Sequence, residues 1–458
     1  MKKRLYILFI SAGLSVFSSC QDVLDVEPTS SIEFEGAITD ARSADRALQG
    51  VYSAFQAGDY YGLSYLYYQD LYADNLTFTG TFTTHREVAN RNINPTNLQI
   101  ANTWATIYTA IGRANLVIQE VGALANIEQE EKDRIVGEAH FLRGLAYFDL
   151  VKVFGGVPIV TKPTVDVAGV QSQGRSTEAE VYTQIITDLT TAETKLVGDD
   201  DDVFSASGWA ATALLARVYL QQGNYAQARD KASEVIDNGP FSLEENFGDV
   251  FNGSGTDNAS SESIFELAFN EDDQNALASS SNPAVPGQKF YVSAGLFNLL
   301  SSDGGERFAE TTVQQGTRRR VIKYDDVVNG SDNVVILRLA EMYLIRAEAN
   351  ARLGAAGAPP SLQVISDINE IRNRAGLGSV VPTSNAAALT EILLQRRLEF
   401  AFEGLRFMDL KRFGQTCAVL NFCPATATAP DNTFRNLWPL PFQQFETNPN
   451  LGAQNPGY

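Results

Sequence analysis

The stretch GWAATALLARVYLQQGNYAQARDKASEVIDNGP, residues 208–240, decides the fold. Apolar and small residues recur in it at intervals of three and four on both sides of Gly223, which predicts two amphipathic helices. Gly223 permits a tight turn between the helices, and the small side chains of Ala216 and Ala228 let the helices approach closely. The stretch therefore predicts an antiparallel helix pair.

The same stretch matches the spacing of a tetratricopeptide repeat. The matching positions are Leu215, Ala216, Tyr219, Gly223, Tyr225, Ala228 and Pro240. Ala232 stands where this repeat usually has Phe, and an alanine-rich hairpin that matches by chance is the alternative. A second unit of this kind is predicted at 334–353, with a partner helix at 361–375.

Helical spacing of apolar residues dominates the rest of the chain. It predicts further helices at 41–56, 102–121, 128–154 and 178–196, the last with Ser176 and Thr177 as candidate caps. Only 263–269 and 320–324 have the alternation of strands. The fold class is therefore predicted to be dominated by α-helices, with a few short strands and long polar loops, the first of them at 59–103.

The segment 390–413 is apolar nearly all round, as expected of a helix buried in a large core. Six of its charged residues lie at intervals that allow them to pair internally. They are Arg396, Arg397, Glu399, Glu403, Arg406 and Asp409. Because paired buried charges are usually structural, we interpret them so, with a catalytic carboxylate site as the alternative.

The first twenty residues have the layout of a secretory signal. A basic start is followed by an apolar run at 5–17 and by Ser18 and Ser19 directly before Cys20. The small pair before a cysteine resembles the lipobox of bacterial lipoproteins, and a chance cysteine after an ordinary signal is the alternative. We predict a signal peptide at 1–19, a lipidated N-terminus at Cys20 with a tether at 20–35, and a single domain at 36–458.

The net charge of the 458-residue chain is −20. Such a surface repels phosphate backbones, so nucleic acid is excluded as a partner, and loosely held polyanions are disfavoured. The acidic runs at 199–202 and 271–273 are interpreted as solvated loops, with a calcium site as the alternative.

Two cysteines, Cys417 and Cys423, remain after Cys20. An exported protein works in an oxidising compartment, where two close cysteines usually pair. We therefore predict a disulfide that closes a short surface loop, and two buried free thiols are the alternative.

Several stretches, in their order along the chain, resemble the SusD/RagB family. They are SCQDVLDVEP near the start, LRLAEMYLIRAEANARLG, INEIRNRAGL, RRLEFAFEGLRFMDLKRFG and the final WPLPFQQFETNPNLGAQNPGY. The resemblance extends from Cys20 to Tyr458.

This resemblance implies a bundle of about four tetratricopeptide-like helix pairs and a variable region that holds ligand. It also implies a lipoprotein on the outer face of the outer membrane of a Bacteroidota-type bacterium. Family members bind glycans, some bind peptides, and they deliver the ligand to a SusC-like TonB-dependent barrel. The family has no known catalytic centre.

The residues themselves also argue against an enzyme. The chain has two histidines, His85 and His140, and His140 lies within a predicted helix, so a metal site with two or three histidines is not predicted. No GxSxG, P-loop or HExxH motif is present. We predict no cofactor and no metal, and a carboxylate-pair glycosidase is the alternative.

The segment 58–92 has the residue types that bind sugars, because aromatic faces stack on pyranose rings while amides, carboxylates and arginine bind hydroxyls. Tyr65, Tyr68 and Tyr72 have helical spacing and are assigned to the core, as is Trp104. The candidate ligand-binding residues are Asp74, Asn75, Phe78, Phe82, His85, Arg86, Phe290 and Tyr291. The resemblance also places much of the family's ligand contact in this region.

We therefore predict a surface glycan-binding lipoprotein. A peptide binder of the same architecture would have more carboxylates and amides in its cleft and fewer stacking platforms. A tetratricopeptide scaffold without a nutrient ligand would show an exposed apolar groove.

Overall fold

Helices form most of the computed structural model, which describes residues 38–164, 173–198, 202–256, 259–287, 289–424 and 431–458. In chain order they are α1 (Ala41–Gln56), α2 (Ser64–Tyr72), α3 (Thr83–Ala89), α4 (Leu98–Ala123), α5 (Gln129–Phe154), α6 (Glu178–Lys195), α7 (Gly208–Gln222), α8 (Tyr225–Asn238), α9 (Leu277–Ser281), α10 (Ala294–Asp303), α11 (Arg307–Thr311), α12 (Leu339–Leu353), α13 (Leu362–Arg374), α14 (Asn385–Glu399), α15 (Arg406–Arg412), α16 (Thr416–Leu420) and α17 (Phe442–Thr447). Two short 3-10 helices lie at Phe247–Phe251 and Thr433–Asn436.

The strands of the described chain are short and pair two by two. They are β1 (Leu76–Phe78), β2 (Ser263–Leu267), β3 (Phe290–Val292), β4 (Thr312–Gln315), β5 (Arg318–Val321) and β6 (Val334–Arg338). The antiparallel ladders are β1–β3, β2–β6 and β4–β5. This mixture confirms the predicted fold class.

The long helices form four packed pairs along the chain. These are α1 with α4, α5 with α6, α7 with α8, and α12 with α13. The pair α7 and α8 is the predicted one, and Gly223 between them has a φ of 78°, in the left-handed region that glycine adopts without strain. Ala216 and Ala228 are fully buried, as expected of a close helix contact. The residues Asp40–Tyr458 form one compact unit.

Local sequence signals explain several helix starts. The Asp40 side chain accepts a hydrogen bond from the backbone N–H of Ser43 and caps α1. Of the two candidate caps for α6, Thr177 is the one used, in a capping box with Glu180.

Three sequence predictions are corrected by the structure. The predicted helix 334–353 is the strand β6 followed by α12, because the first residues pair with β2. The predicted helix 390–413 is two helices, α14 and α15, with Phe402 and Gly404 between them at φ values of 69° and 72°. The predicted polar loop at 59–103 contains α2, β1 and α3.

The charged residues of 390–413 do pair, but mainly with partners elsewhere in the chain. Glu399 forms ion pairs with Arg307, Arg338 and Arg374. Asp409 pairs with Arg396 at 2.9 Å and with Arg412 at 2.8 Å. These carboxylates are buried and held between guanidinium groups, which is the arrangement expected of structural ion pairs.

Cys417 and Cys423 form a disulfide, with their Cα atoms 4.8 Å apart. Cys417 lies on α16, and the bond closes the short turn that follows this helix. Cys20, the signal peptide and the tether lie outside the described residues.

Candidate ligand-binding site

Four side chains form a group of packed rings, here called the ring cluster: Phe78, Phe82, His85 and Phe290. His85 lies at its centre, with ring centroids 5.0 Å from Phe78, 5.7 Å from Phe82 and 5.3 Å from Phe290. Phe78 and Phe290 are 5.2 Å apart. The structure thus brings together four of the eight residues predicted to bind ligand.

Two local structures position these rings. The antiparallel ladder between β1 and β3 pairs Phe78 with Phe290 directly across the strands. Phe82 precedes the first residue of α3, which places His85 in the first turn of that helix. The ring cluster is therefore built where a short ladder meets a short helix.

Two tyrosines of helix α2 pack against the buried side of the ring cluster. The Tyr67 ring packs edge-on against Phe290 at 6.0 Å, and its hydroxyl donates to the carbonyl of Leu277. The Tyr68 ring lies 5.8 Å from His85. Both tyrosines are fully buried, so they fix the rings above them.

Burial and a hydrogen bond with Tyr68 together determine the protonation state and the tautomer of His85. The Tyr68 hydroxyl lies 2.6 Å from Nδ1 of His85, and Tyr68 itself accepts a hydrogen bond from Ser64. Burial lowers the pKa of His85 from its usual 6.5. In the neutral ring Tyr68 then donates to Nδ1, and the proton on Nε2 remains for a ligand acceptor.

We expect His85 to titrate below pH 6.5 in the folded chain. Because the unfolded chain takes up this proton at a higher pH, the contribution of the neutral ring to stability is complete above pH 6.5. It is lost as the pH falls towards the lowered pKa. Nuclear magnetic resonance resolves this well, since the chain has two histidines and His140→Gln assigns the signals. A midpoint at or above 6.5 would contradict the burial argument.

The outer part of the ring cluster is open to solvent. Phe82 is 59% exposed, far more than a core phenylalanine, and Arg86 on the next turn is exposed as well. The guanidinium of Arg86 donates a hydrogen bond to the hydroxyl of Thr83 at 3.4 Å. An exposed ring face beside available donors is the chemistry that sugar rings need.

Asp74 and Asn75 are used inside the protein. The carboxylate of Asp74 pairs with Arg397 at 2.8 Å and with Arg406 at 2.7 Å. The side chain of Asn75 is fully buried, donates to Asp70 and accepts from Arg397. This placement gives no support to the prediction that Asp74 and Asn75 contact the ligand.

Tyr291 lies next to Phe290 on β3 and is 4% exposed. The Tyr291 position pairs with Thr77, so its side chain and that of Phe290 alternate between the two faces of the ladder. Its ring is covered by the guanidinium of Arg318, whose central carbon is 5.1 Å from the ring centroid.

Sequence reasoning assigned four aromatics to the core correctly, but it also offered Phe290 and Tyr291 as ligand contacts, and these are only 2% and 4% exposed. Tyr65, Tyr68, Tyr72 and Trp104 are each 3% exposed or less, as assigned. It missed the supporting role of Tyr67, and the helical spacing of α2 could have shown only that this residue is buried.

A separate cavity of about 250 Å³ lies between α4 and the C-terminal segment. Its walls include Trp104, Tyr108, Pro158, Gln444 and Asn448, and none of the eight predicted ligand residues lines it. Because Trp104 is buried and the hydroxyl of Tyr108 donates to the carbonyl of Pro158, these rings belong to the core. The ring cluster, with its exposed Phe82, is therefore the better candidate site.

Within the described ranges, no group of three or more His, Cys, Asp or Glu side chains is arranged to hold a metal ion. In the same part of the chain, every helix is too short or too polar to cross a bilayer.

Comparisons with known proteins agree with this architecture. Residues 22–220 match a SusD-like family model described as starch-binding and associating with the outer membrane, and residues 314–458 match the model of the SusD family. SusD-like protein P38 of Formosa agariphila is 27% identical over 98% of each chain. The starch-binding protein SusD of Bacteroides thetaiotaomicron is 24% identical over 70% of this chain and 72% of its own.

Solved structures give the same result. A laminarin-binding SusD-like protein has a TM-score of 0.79 and 26% identity, covering 92% of this chain and 100% of its own. A SusD superfamily protein from Bacteroides vulgatus, 21% identical, has a TM-score of 0.80 and shows the fold alone. With both family models matching, and with the helix pairs described above, the chain belongs to the SusD/RagB family.

Proposed function

We propose that this chain captures glycans at the cell surface and delivers them to a TonB-dependent outer-membrane barrel. The observation that carries the proposal is the ring cluster, where the exposed Phe82 stands beside the donors of His85 and Arg86. The family is a binding family described as starch-binding, and one similar structure binds laminarin. Both facts support a glycan as the ligand.

The location follows from the family and the N-terminus. Attachment through a lipid on Cys20 would hold the domain at the outer membrane, with which the family is associated. Handover to a SusC-like barrel completes the proposal, because a surface binding protein without a transporter would not feed the cell. No catalytic step is needed for this role.

The test is calorimetric titration of the purified protein with a panel of glycans and mixed peptides. We expect a saturable signal with at least one glycan and a loss of about 1–3 kcal/mol of binding free energy in Phe82→Ala, by analogy with the loss of one aromatic that stacks on a nucleobase. The matched control is Phe442→Ala, because Phe442 is also exposed, at 46%, but lies outside the ring cluster.

Heat from peptides alone would replace the glycan with a peptide ligand. Silence from every ligand would favour a scaffold without nutrient binding. Equal losses in Phe82→Ala and Phe442→Ala would move the site away from the ring cluster.

A further inference from the structure

A cavity of about 390 Å³ lies where the end of α6 meets the helix pair α7 and α8. We call it the Trp209 pocket. Its walls come from all three helices and from the residues that follow α6, and they include Glu193, Leu196, Val197, Trp209, Thr212 and Glu234. No member of the ring cluster lines it, and its volume is within the ~300–1,000 Å³ of small-molecule sites. The Trp209 pocket is therefore a separate candidate site.

Trp209 gives this pocket an aromatic wall that a ligand can cover. Trp104 and Trp438 are at most 3% exposed and pack against other rings, whereas Trp209 is partly exposed. Among the described residues, no aromatic ring and no cation stacks on the Trp209 indole. The backbone fixes its position, because a Cβ on the preceding Gly208 would lie only 2.9 Å from the carbonyl oxygen of Leu196. The start of α7 thus lies directly against the end of α6.

Two carboxylates in the same pocket have acceptor oxygens to spare. Oε1 of Glu193 accepts from the hydroxyl of Thr212 and, at 2.8 Å, from the ammonium of Lys231. Lys231 also donates to Oε2 of Glu234 at 2.9 Å. In the described part of the chain, the second oxygen of each carboxylate has no donor. Because Thr212 and Lys231 already hold Glu193, its free oxygen is oriented before a ligand arrives.

The charges around the Trp209 pocket favour an uncharged ligand. Glu193, Glu234 and Lys231 together leave a net charge of −1. Val197 and Gly198 also border the acidic start of α5, and the loop from α6 to α7 contains the acidic run 199–202. An anionic group would be repelled here, whereas the hydroxyl groups of a neutral ligand can donate to the free carboxylate oxygens.

We propose that the Trp209 pocket is a second carbohydrate site, in which a neutral sugar ring stacks on the indole while its hydroxyl groups donate to Glu193 and Glu234. One face of a pyranose ring is apolar enough to pack on an aromatic ring, and its hydroxyls need fixed polar partners. This site goes beyond the proposed function, because capture of glycan at the ring cluster does not require it.

Tryptophan fluorescence tests the site directly, because Trp209 is the tryptophan that a soluble quencher can reach. Neutral oligosaccharides of glucose, mannose, galactose and xylose are titrated into the protein in the presence of acrylamide. We expect at least one of them to protect Trp209 from quenching in a saturable way and to shift the emission to shorter wavelength. An oligouronate of the same length is expected to give no protection. Trp209→Phe identifies the signal, since it removes the quenchable emission.

The decisive variant is Trp209→Ala, measured by calorimetry in the Phe82→Ala protein so that the ring cluster contributes little heat. We expect the affinity for the protecting sugar to fall at least about tenfold, by analogy with the loss of one aromatic that stacks on a nucleobase. Trp209→Phe should retain most of the affinity, because it keeps an aromatic face. The matched control is Leu362→Ala, at the exposed first residue of α13, which should keep both the affinity and the thermal midpoint.

The outcomes separate the Trp209 pocket from the ring cluster. Protection of Trp209 that persists in Phe82→Ala supports a second site. Protection that disappears in Phe82→Ala assigns the signal to the ring cluster, which overturns this inference and leaves the proposed function intact. Absence of protection by every neutral sugar, or tighter binding of the oligouronate, overturns it as well. Protection of Trp209 together with unchanged calorimetric affinity in Phe82→Ala would instead retain the Trp209 pocket and overturn the ring cluster.

Discussion

Glu399→Leu is expected to destabilise the folded chain by about 3–5 kcal/mol, the range for removing one partner of a buried ion pair. Glu399 is fully buried and meets three arginines, Arg307 at 3.0 Å, Arg338 at 2.7 Å and Arg374. Burial alone would raise the pKa of this carboxyl, but the three positive charges outweigh burial and hold the pKa well below its usual range. Leucine would leave these arginines without that charge.

The neighbouring acids cannot compensate fully for the loss of Glu399. Arg338 keeps Glu262 and Glu403, and Arg374 keeps Glu262. Arg307 has no second carboxylate among the described residues and would retain only the side-chain amide of Gln395 and a backbone carbonyl. We therefore expect the released charge of Arg307 to dominate the cost.

The measurement is urea unfolding followed by circular dichroism. Glu399→Gln keeps the shape and should cost less than Glu399→Leu, because its amide oxygen still accepts one hydrogen bond. Glu234→Leu on α8 is the matched control, since Glu234 forms an exposed pair with Lys231 that is worth about 0.2–1 kcal/mol. A Leu variant as stable as this control would show that water or rearrangement satisfies the arginines.

The ion pairs of Glu399 show which features of the buried charges the sequence could predict and which it could not. The spacing of charges in 390–413 predicted pairing within the segment; Asp409 does pair there with Arg396 and Arg412, whereas Glu399 pairs with arginines outside it. The partners were not predictable, because Arg307, Arg338 and Arg374 come from three other elements and are brought together only by the fold. Periodicity reports which face of an element is buried, not which distant side chain it meets.

The break between α14 and α15 shows the same limit. A continuous apolar pattern predicted one helix, yet Phe402 adopts a left-handed conformation that is costly for a residue with a side chain. Nothing in the local sequence except Gly404 signals a turn here. Tertiary hydrogen bonds stabilise it, and these are invisible to local reasoning.

The candidate site was predictable in composition but not in arrangement. Aromatic residues in 58–92 indicated the segment that carries three members of the ring cluster, and helical spacing assigned the buried Tyr68 to the core. Asp74 and Asn75 have the right chemistry for sugar hydroxyls, but the fold uses them to hold arginines. Phe290 lies more than 200 positions along the chain from Phe78, so their contact required the β1–β3 ladder.

The second large effect is expected for Asp70→Ala, which should lower the free energy of unfolding by about 3–5 kcal/mol, since each buried donor left unpaired costs about 1–3 kcal/mol. The Asp70 carboxylate accepts from the backbone N–H groups of Phe402 at 3.3 Å and Gly404 at 3.1 Å, and from the Asn75 side chain at 2.7 Å. Burial raises the pKa of Asp70 to about 6, against the opposing effect of these hydrogen bonds. Alanine would leave the left-handed turn without its acceptor.

Asp70 also connects this turn to the candidate site. It lies on α2 between Tyr68, which fixes His85, and Asn75, which precedes β1. Hydrogen exchange of the Asp70→Ala protein should therefore show faster exchange in two places, the turn at Phe402 and the α2–β1 segment beneath the ring cluster. Asp230→Ala, at an exposed position on α8, is the control and should change stability by less than about 0.5 kcal/mol.

The exchange pattern distinguishes two outcomes. If Asp70→Ala loosened the turn but left α2 and β1 protected, the turn and the ring cluster would be independent. Glycan affinity would then tolerate any sequence between α14 and α15 that keeps the fold. If exchange becomes faster in both regions, the buried carboxylate of Asp70 connects the α2–β1 segment to the turn at Phe402. The affinity for glycan at the ring cluster should then be lower in Asp70→Ala.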